Sequence, residues 1–274
     1  MKDDMPDLSR LSLNQITIKQ WSLAQAIEGC ARHGIGHIGI WRDKLAEQPI
    51  PQTVRQLSDA GIKVSSLCRG GFFSAPTAAA RAAQLDDNRR AIEDCAAIGS
   101  PVLVLVCGPA HGQSLEDARG TVNDAIAELA PFAEACGIKL GIEPLHPMFA
   151  AERSVIVTVE QATQIAIQFS VDTVGVVADV FHIWWDPLVH AEIARAGRRI
   201  LGFHVSDWLV PLPDLLLGRG MMGEGVIDIR ALRQSVESAG YTGPIEVEIF
   251  NQALWGEDPN DAVRRMVEAY RLHV

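Results

Sequence analysis

Residues 133–144, AEACGIKLGIEP, contain the pattern that decides the fold. An amphipathic segment ends at a glycine, a short apolar run follows, and a glutamate and a proline end the run. A glycine just after a helix accepts the left-handed conformation that stops it, so we expect the chain to pass there from helix to strand. The same junction recurs at His33-Gly34-Ile35, Ala60-Gly61-Ile62 and Ala239-Gly240-Tyr241.

Outward from this unit, β-branched apolar runs alternate with longer amphipathic segments along the chain. The predicted strands are 11–18, 36–41, 62–68, 101–107, 138–143, 174–179, 200–205 and 244–249. The predicted helices are 22–33, 49–60, 76–98, 115–135, 159–169, 187–196, 229–239 and 260–272. This alternation predicts an α/β fold, a single closed (β/α)8 TIM barrel over residues 1–274, with an open doubly wound sheet as the alternative. A long loop is expected at about 207–227, after the seventh strand.

The composition is that of an acidic globular chain of 274 residues, with 24 Lys and Arg against 34 Asp and Glu. No stretch reaches the roughly 20 apolar residues of a membrane span, and the net charge of −10 disfavours nucleic acid as a partner. The five cysteines form no CxxC pair, and the N-terminal residues lack the apolar segment of a secretory signal. We therefore expect a cytoplasmic protein. Because no GxGxxG follows the first strand and no GxxxxGK[ST] occurs, no nucleotide cofactor is expected.

Four consecutive predicted strands end in a carboxylate or an imidazole, namely Glu143, Asp179, His204 and Glu248. The C-terminal ends of the strands open onto the active site of a TIM barrel. Three carboxylates brought together there would repel each other, and a divalent cation resolves that conflict. Three oxygen donors and one imidazole favour Mn²⁺ or Mg²⁺, with Co²⁺ or Zn²⁺ as alternatives. Glu246 points to the same face as Glu248 but lies farther from the rim, so Glu248 is the preferred ligand.

The stretches around these residues resemble the sugar phosphate isomerase/epimerase family, which shares the xylose isomerase-like barrel with tagatose 3-epimerase and endonuclease IV. The resemblance rests on 142–147 (IEPLHP), 179–182 (DVFH), 203–208 (FHVSDW) and 247–251 (VEIFN). It implies that Glu143, Asp179, His204 and Glu248 bind a divalent metal and that the two glutamates also move protons. It further implies that His182 contacts the substrate. The additional histidines of the three-zinc endonuclease are not matched, so a DNA-repair role is not expected.

On this resemblance we expect a divalent-metal-dependent isomerase or epimerase of a keto-sugar or related carbohydrate. Glu143 or Glu248 would remove a proton α to the carbonyl through a metal-stabilised enediolate, and the other glutamate would return it. His146 lies outside the usual epimerase pattern and titrates near neutrality, which makes it a further catalytic candidate. A histidine base would also suit a metal-dependent lyase that cleaves 3-oxo-glycosides, which is the alternative function. A non-catalytic sugar-binding protein is the alternative from another class.

Candidate substrate contacts follow the strands on the side where the active site is expected. Tryptophans occur there at Trp41, Trp184, Trp185, Trp208 and Trp255, and an indole can stack on the apolar face of a sugar. Arg69 and Arg153 are candidates for binding a phosphate or carboxylate bidentately. The apolar loop at about 207–227 predicts either a substrate lid or a subunit contact of a homo-oligomer.

Overall fold

Eight parallel strands form a closed barrel in the computed structural model, which describes residues 8–75 and 77–274. In chain order the strands are β1 (Leu11–Asn14), β2 (His37–Trp41), β3 (Lys63–Gly71), β4 (Val102–Val106), β5 (Lys139–Ile142), β6 (Val174–Asp179), β7 (Ile200–Val205), β8 (Asp207–Trp208), β9 (Arg219–Gly220) and β10 (Ile245–Val247). The order around the barrel is β1-β10-β7-β6-β5-β4-β3-β2, while β8 and β9 form a separate antiparallel ribbon. Because β1 pairs with both β2 and β10, the sheet is closed. The predicted (β/α)8 barrel is confirmed.

Helices alternate with the barrel strands and pack around them. They are α1 (Leu23–Arg32), α2 (Arg42–Leu45), α3 (Ile50–Ala60), α4 (Ala78–Ile98), α5 (Leu115–Ala135), α6 (Val159–Ala166), α7 (Val180–Ile183), α8 (Val189–Ala196), α9 (Ile229–Ser238) and α10 (Pro259–His273). The short helices α2 and α7 are not predicted from the sequence, whereas the longer helices agree closely with the predicted segments. Pro76, the predicted first residue of α4, lies outside the described residues. Within 8–75 and 77–274, no helix combines the length and the apolar character needed to cross a membrane.

The predicted helix-to-strand junctions adopt the backbone conformation that their glycines indicate. Gly34, Gly61, Gly137 and Gly240 all have positive φ, between 67° and 102°. Gly61 is the left-handed residue that ends α3, and its N–H donates to the Ser58 carbonyl at 3.1 Å. A side chain with a Cβ would be strained in this conformation, so glycine sets the point at which the helix ends.

Two strands differ from their predictions by three or more residues at their C-terminal ends. The first ends at Asn14 instead of residue 18, because the Asn14 side chain accepts the Ile16 N–H at 3.1 Å and starts a 3-10 turn. The third continues to Gly71 instead of ending at residue 68. There Asn88 of α4 accepts the Gly71 N–H at 2.6 Å and donates to the Gly71 carbonyl at 2.9 Å. Glycine is rare in strands, so a contact from a distant helix was needed to extend β3.

The long loop after β7 is organised by the buried carboxylate of Asp207. One oxygen accepts the N–H groups of Gly223 and Gly225, both at 2.9 Å. The other accepts those of Trp208 and Ile227 at 2.8 and 3.0 Å. These contacts join the two ends of the segment predicted as a loop, and the ribbon β8–β9 lies between them.

Candidate metal centre and active site

Glu143, Asp179, His204 and Glu248 converge at the C-terminal end of the barrel. One ligand atom from each lies within 4.8 Å of the others, and all four residues are buried. Asp179 ends β6 and His204 belongs to β7. The N–H groups of Glu143 and Glu248 donate to carbonyls of β4 and β7 at 3.1 and 3.0 Å, so the barrel backbone positions both glutamates.

This donor set fits a divalent cation. Within the described part of the chain, Oε1 of Glu143 and Nδ1 of His204 are buried with no hydrogen-bond partner, although these two atoms lie 3.2 Å apart. Buried polar atoms without a partner are costly and call for an explanation. A cation between the four residues would satisfy both atoms, and carboxylate and imidazole are ligands that Mn²⁺, Mg²⁺ and Zn²⁺ accept.

Glu246 lies one layer deeper in the barrel, where three side chains hydrogen-bond to it. Asn14 and Ser65 donate to its two oxygens at 2.6 Å each, and Ser66 donates at 3.0 Å. Its Oε1 lies 3.7 Å from Nε2 of His204, whereas Nδ1 of that ring faces the cluster. A carboxylate behind a metal-binding histidine orients the ring and leaves the other nitrogen available as a ligand. Glu246 therefore supports the cluster from below.

Arg219 enters the cluster from the long loop and is not among the residues that the sequence predicts. Its Nη1 donates to Oδ2 of Asp179 at 2.7 Å and to Oε2 of Glu248 at 3.2 Å. Its Nη2 lies 3.0 Å from Nε2 of His182. With a bound dication and three carboxylates, one negative charge would remain, and the buried guanidinium neutralises it.

Two aromatic rings hold the Arg219 guanidinium in place. The centroid of Phe181 lies 4.6 Å from its central carbon and that of Phe250 lies 5.0 Å away. Asn251 fixes the backbone by donating to the Arg219 carbonyl at 2.8 Å. A signal for this residue was present, because Arg219 is the only basic residue of segment 207–227 and lies between two glycines.

The charges of the cluster depend strongly on burial. Burial raises the pKa of Glu143 to about 7, against the opposing effect of His204. Burial also disfavours the charged imidazole, but Glu246, Glu143 and Glu248 outweigh it and raise the pKa of His204 well above its ordinary value. For Glu248 the effect of burial is overcome by His204 and Arg219, which lower its pKa. A cation entering the cluster therefore competes with protons on Glu143 and His204.

Two adjoining cavities lead to the cluster. The outer one is an open cleft of about 860 Å³, a size that accepts a small molecule. Of the four cluster residues, Glu143 and Glu248 line the narrower inner cavity, and Asp179 and His204 do not. Its other walls are mostly apolar, formed by Val104, Val106, Leu145, Phe149, Leu216 and Phe250 among others.

His182, a predicted substrate contact, lines the inner cavity beside Arg219. Burial lowers the pKa of His182 to about 3, so its ring is neutral near pH 7. Its Nδ1 accepts the backbone N–H of His146 at 3.2 Å, which fixes the ring orientation. Because its Nε2 lies 3.0 Å from Nη2 of Arg219, both ring nitrogens already have a neighbour, and the ring forms part of the wall that a substrate would meet.

Trp41 and Arg69 line both cavities, as does Arg153. The indole N–H of Trp41 donates to Oδ1 of Asn14 at 2.7 Å, which orients the ring. The Arg69 guanidinium lies over the Phe72 ring at 4.2 Å. These three predicted substrate contacts are therefore brought together around one entrance.

Three other predicted site residues, His146, Trp184 and Trp208, are not among those lining the two cavities. The His146 ring lies 5.0 Å from Trp208 and 5.6 Å from Trp185, and Trp184 lies 5.5 Å from Trp208. Trp208 stacks on Phe181 at 4.8 Å, the ring that contacts Arg219. Strand order predicts the end of the barrel at which a loop residue lies, but not the direction of its side chain. This aromatic cluster supports the site from behind.

The long loop contributes directly to the cavities. Leu216 lines both of them and Leu217 lines the outer cleft. Val210 and Leu215 of the same loop are exposed. The loop therefore covers one side of the site, in the position expected of a lid.

Related proteins match this chain over most of its length. A family model described as a xylose isomerase-like TIM barrel matches residues 27–272. The inosose isomerase of Bacillus licheniformis is 25% identical over 274 residues, which covers 94% of this chain and 95% of the relative.

Two solved structures also match this chain over nearly its whole length. A crystal structure of a Sinorhizobium meliloti 1021 protein has a TM-score of 0.94 at 43% identity, covering 97% of this chain and 99% of that chain. A crystal structure of IolI protein with a bound zinc atom has a TM-score of 0.85 at 23% identity, covering 95% and 96%. At 23% identity, the similarity to the IolI structure shows a shared fold alone.

Proposed function

Because this chain belongs to the xylose isomerase-like TIM barrel family, we propose that it is a divalent-metal-dependent isomerase or epimerase of a keto-sugar or related carbohydrate. The observation that carries the proposal is the position of two carboxylates in the inner cavity. Glu143 and Glu248 line it from β5 and β10, which are separated around the barrel by β6 and β7. Two acid–base groups that approach a substrate from different sides suit removal and return of a proton at one carbon.

The proposed site holds a dication through Glu143, Asp179, His204 and Glu248. We propose Mn²⁺ or Mg²⁺ as the physiological ion because three of the four ligands are carboxylates, and the zinc of the IolI structure makes Zn²⁺ the ion to compare. Bound there, the ion would supply a Lewis acid for neighbouring carbonyl and hydroxyl oxygens.

The side chains of the inner cavity carry out the proton transfers. Glu143 or Glu248 takes the proton from the carbon next to the carbonyl, and the other carboxyl group delivers a proton to the opposite face. Arg219 hydrogen-bonds to a substrate oxygen, and His182 forms part of the wall that holds the carbon between the glutamates. Trp41 at the entrance provides a flat surface for the apolar face of the sugar.

The apolar walls make Glu143 the better base of the two, because burial raises its pKa to about 7, whereas His204 and Arg219 lower the pKa of Glu248. Leu145, Phe149, Leu216 and Phe250 border the inner cavity and limit the access of water. A carboxylate with fewer water neighbours has a higher proton affinity, which offsets the loss of basicity on binding a metal. The barrel end, the loop and the cluster together thus form a site for α-proton exchange.

Proton exchange in D₂O tests the proposal directly. The protein loaded with Mn²⁺ is incubated with an inosose and with a panel of ketoses, and deuterium uptake is followed by NMR. We expect uptake at the carbon next to the carbonyl of at least one substrate, with loss of exchange after chelation and recovery with fresh Mn²⁺.

Two other outcomes would contradict the proposal. Release of an aglycone from 3-oxo-glycosides, without exchange on free sugars, would identify a lyase. Binding of sugars without exchange at any carbon, with Mn²⁺, Mg²⁺, Co²⁺ and Zn²⁺ each supplied, would identify a non-catalytic binding protein.

A further inference from the structure

Two arginines, Arg69 and Arg153, face the same entrance from different segments. Arg69 lies near the end of β3 and Arg153 follows the 3-10 turn Pro147–Phe149. Both line the outer cleft and also the inner cavity that contains Glu143 and Glu248. A group bound between them would therefore belong to a molecule that reaches the cluster.

Neither guanidinium has an acidic partner within residues 8–75 and 77–274. Arg69 lies over the Phe72 ring at 4.2 Å, and Arg153 lies 5.8 Å from the Phe149 centroid. Arg42, in the same cleft, is paired with Asp87 at 2.7 and 3.0 Å. A guanidinium without a carboxylate partner keeps its donors available for bidentate binding of a carboxylate or phosphate group.

Hydrogen bonds hold the backbone at Arg153 and near Arg69. Asn88 bonds to both the N–H and the carbonyl of Gly71, two residues after Arg69. The Arg153 N–H donates to the Phe149 carbonyl at 2.9 Å, and its own carbonyl accepts the Gly108 N–H at 2.8 Å. A side chain carried on a fixed backbone loses less freedom when a ligand binds than one carried on a mobile segment.

The electrostatics of the cleft differ from those of the whole protein. The net charge of the chain is −10, yet four cationic side chains line the outer cleft against two carboxylates. They are Lys19, Arg42, Arg69 and Arg153 against Asp43 and Asp87. Burial, and then the nearby Arg153, lower the pKa of Arg69. An anion bound between two partly buried like charges reduces the repulsion between them.

We propose that Arg69 and Arg153 form a subsite for a carboxylate or phosphate group of the substrate, so that the enzyme acts on an acidic sugar derivative. This inference rests on the proposed isomerase or epimerase function, because it places the reacting carbon over Glu143 and Glu248 and the anionic end at the entrance. Arg219 is not part of the subsite, since Asp179 and Glu248 already balance its charge.

Paired ligands that differ in one charged group test the subsite. Binding of a ketopentose and its 5-phosphate, and of a ketohexose and the corresponding uronate, is measured by calorimetry on the full chain loaded with Mn²⁺. We expect the charged member of at least one pair to bind about tenfold more tightly or better, since hydrogen bonds to charged groups are the stronger ones. The preference should weaken as salt is added.

Arginine variants assign the preference to the two residues. Arg69→Gln and Arg153→Gln should each remove most of the preference for the charged ligand, so that the ratio of the affinities for the charged and neutral members of a pair approaches one. Arg264→Gln is the matched control, because Arg264 is 69% exposed and the change removes the same charge. Thermal melting shows whether each variant is folded, and two independent positions keep the test valid if one variant is not.

Three results would overturn the subsite. The first is equal affinity for the charged and neutral members of both pairs. The second is a charge preference that survives in both folded variants. The third is tighter binding of the neutral sugar in the presence of inorganic phosphate, with no competition between phosphate and the phosphate ester. That result would mean that the arginines bind a free anion.

Failure of the subsite is distinguishable from failure of the proposed function. Deuterium exchange on a neutral ketose, with no charge preference in binding, overturns the subsite alone. A charge preference that depends on Arg69 and Arg153, with no exchange on any ligand, supports the anion-binding pair and overturns the proposed function, and with it the assignment of the anion to a substrate.

Discussion

Glu246 and Glu248 lie two residues apart on the same face of the barrel and share a hydrogen bond from Asn14, at 2.6 and 3.1 Å, yet the rest of their surroundings differ. Glu246 accepts hydrogen bonds from Asn14, Ser65 and Ser66 and lines neither the outer cleft nor the inner cavity. Glu248 lies one layer higher, lines the inner cavity and faces the cluster and Arg219. The neighbouring strands supply hydroxyl and amide donors to the lower layer and other charged groups to the upper one.

The difference shows that the lower carboxylate orients its neighbours, whereas the upper one faces the cavity in which a substrate would react. A carboxylate surrounded by neutral donors is stabilised in one orientation and can orient His204 from behind. A carboxylate that shares a cavity with a second one, a guanidinium and a ligand has its proton affinity set by what binds there. The same residue type therefore serves two purposes on one strand, and the matched substitutions below separate them.

The largest effect is expected for Glu248→Gln. The amide keeps the shape of the side chain but cannot take a proton and is a poorer metal ligand. We expect turnover to fall by roughly 10²–10⁴-fold, the usual contribution of an acid–base group. Deuterium exchange in D₂O measures it, and turnover within a factor of two of wild type would contradict the role of Glu248.

Glu246→Gln is the matched comparison and should be milder. Ser65 and Ser66 can still donate to the amide oxygen, but the carboxylate behind His204 is lost. We expect metal affinity or activity to fall by roughly 10–100-fold, as for other groups that orient a metal ligand. Calorimetric titration with Mn²⁺ measures the affinity. A loss as large as that of Glu248→Gln would show that the two layers do not differ in function.

Metal binding should depend on pH because the ligands of the upper layer carry protons. The pKa of Glu143 is raised to about 7 and that of His204 is raised well above its ordinary value, so near pH 6 both are protonated before the metal enters. We expect about two protons to be released for each Mn²⁺ bound at pH 6, and affinity that rises as the pH rises.

Calorimetry in buffers of different ionisation enthalpy counts the released protons. Above pH 8 fewer should be released, because Glu143 is then already ionised in the absence of metal. Glu143→Gln should lower the count near pH 6 by about one, since the amide carries no titrating proton. Heats that do not depend on the buffer would contradict the charges assigned to the cluster.

The smallest effect is expected for His146→Phe. The His146 ring packs against Trp185 and Trp208, and its contact with His182 is through its backbone N–H. A phenyl ring keeps both and loses only the hydrogen bond that Nδ1 accepts from the Met148 N–H at 3.2 Å, so we expect turnover to change by only a few fold. The catalytic role predicted for His146 stays a prediction without a cavity contact. His182→Gln changes a residue that lines the inner cavity, so it is the comparison, and its loss of turnover should be much larger. A loss of two orders of magnitude in His146→Phe would show that this histidine transfers a proton.

The fold was largely predictable because each βα unit carries its own local signals. Glycines at helix ends and continuous apolar runs are local features, and the barrel follows from their repetition. The exceptions depend on contacts between distant residues. The extension of β3 through Gly71 requires Asn88 of α4, which no pattern near residue 71 indicates.

The candidate site was most predictable where strands carry it. Glu143, Asp179, His204 and Glu248 lie at strand ends, and the structure brings them together. Arg219 lies in a long loop, and its position depends on the contacts of Asp207 and Asn251. The directions of loop tryptophans are set in the same way, by packing that single-sequence patterns do not contain.

The central claim is that the four residues at the ends of β5, β6, β7 and β10 bind one divalent ion. Anomalous diffraction from a crystal grown with Mn²⁺ tests it most directly. We predict one strong peak within coordination distance of Glu143, Asp179, His204 and Glu248. An absence of density between these side chains, or a peak that contacts a different set of residues, would contradict the account.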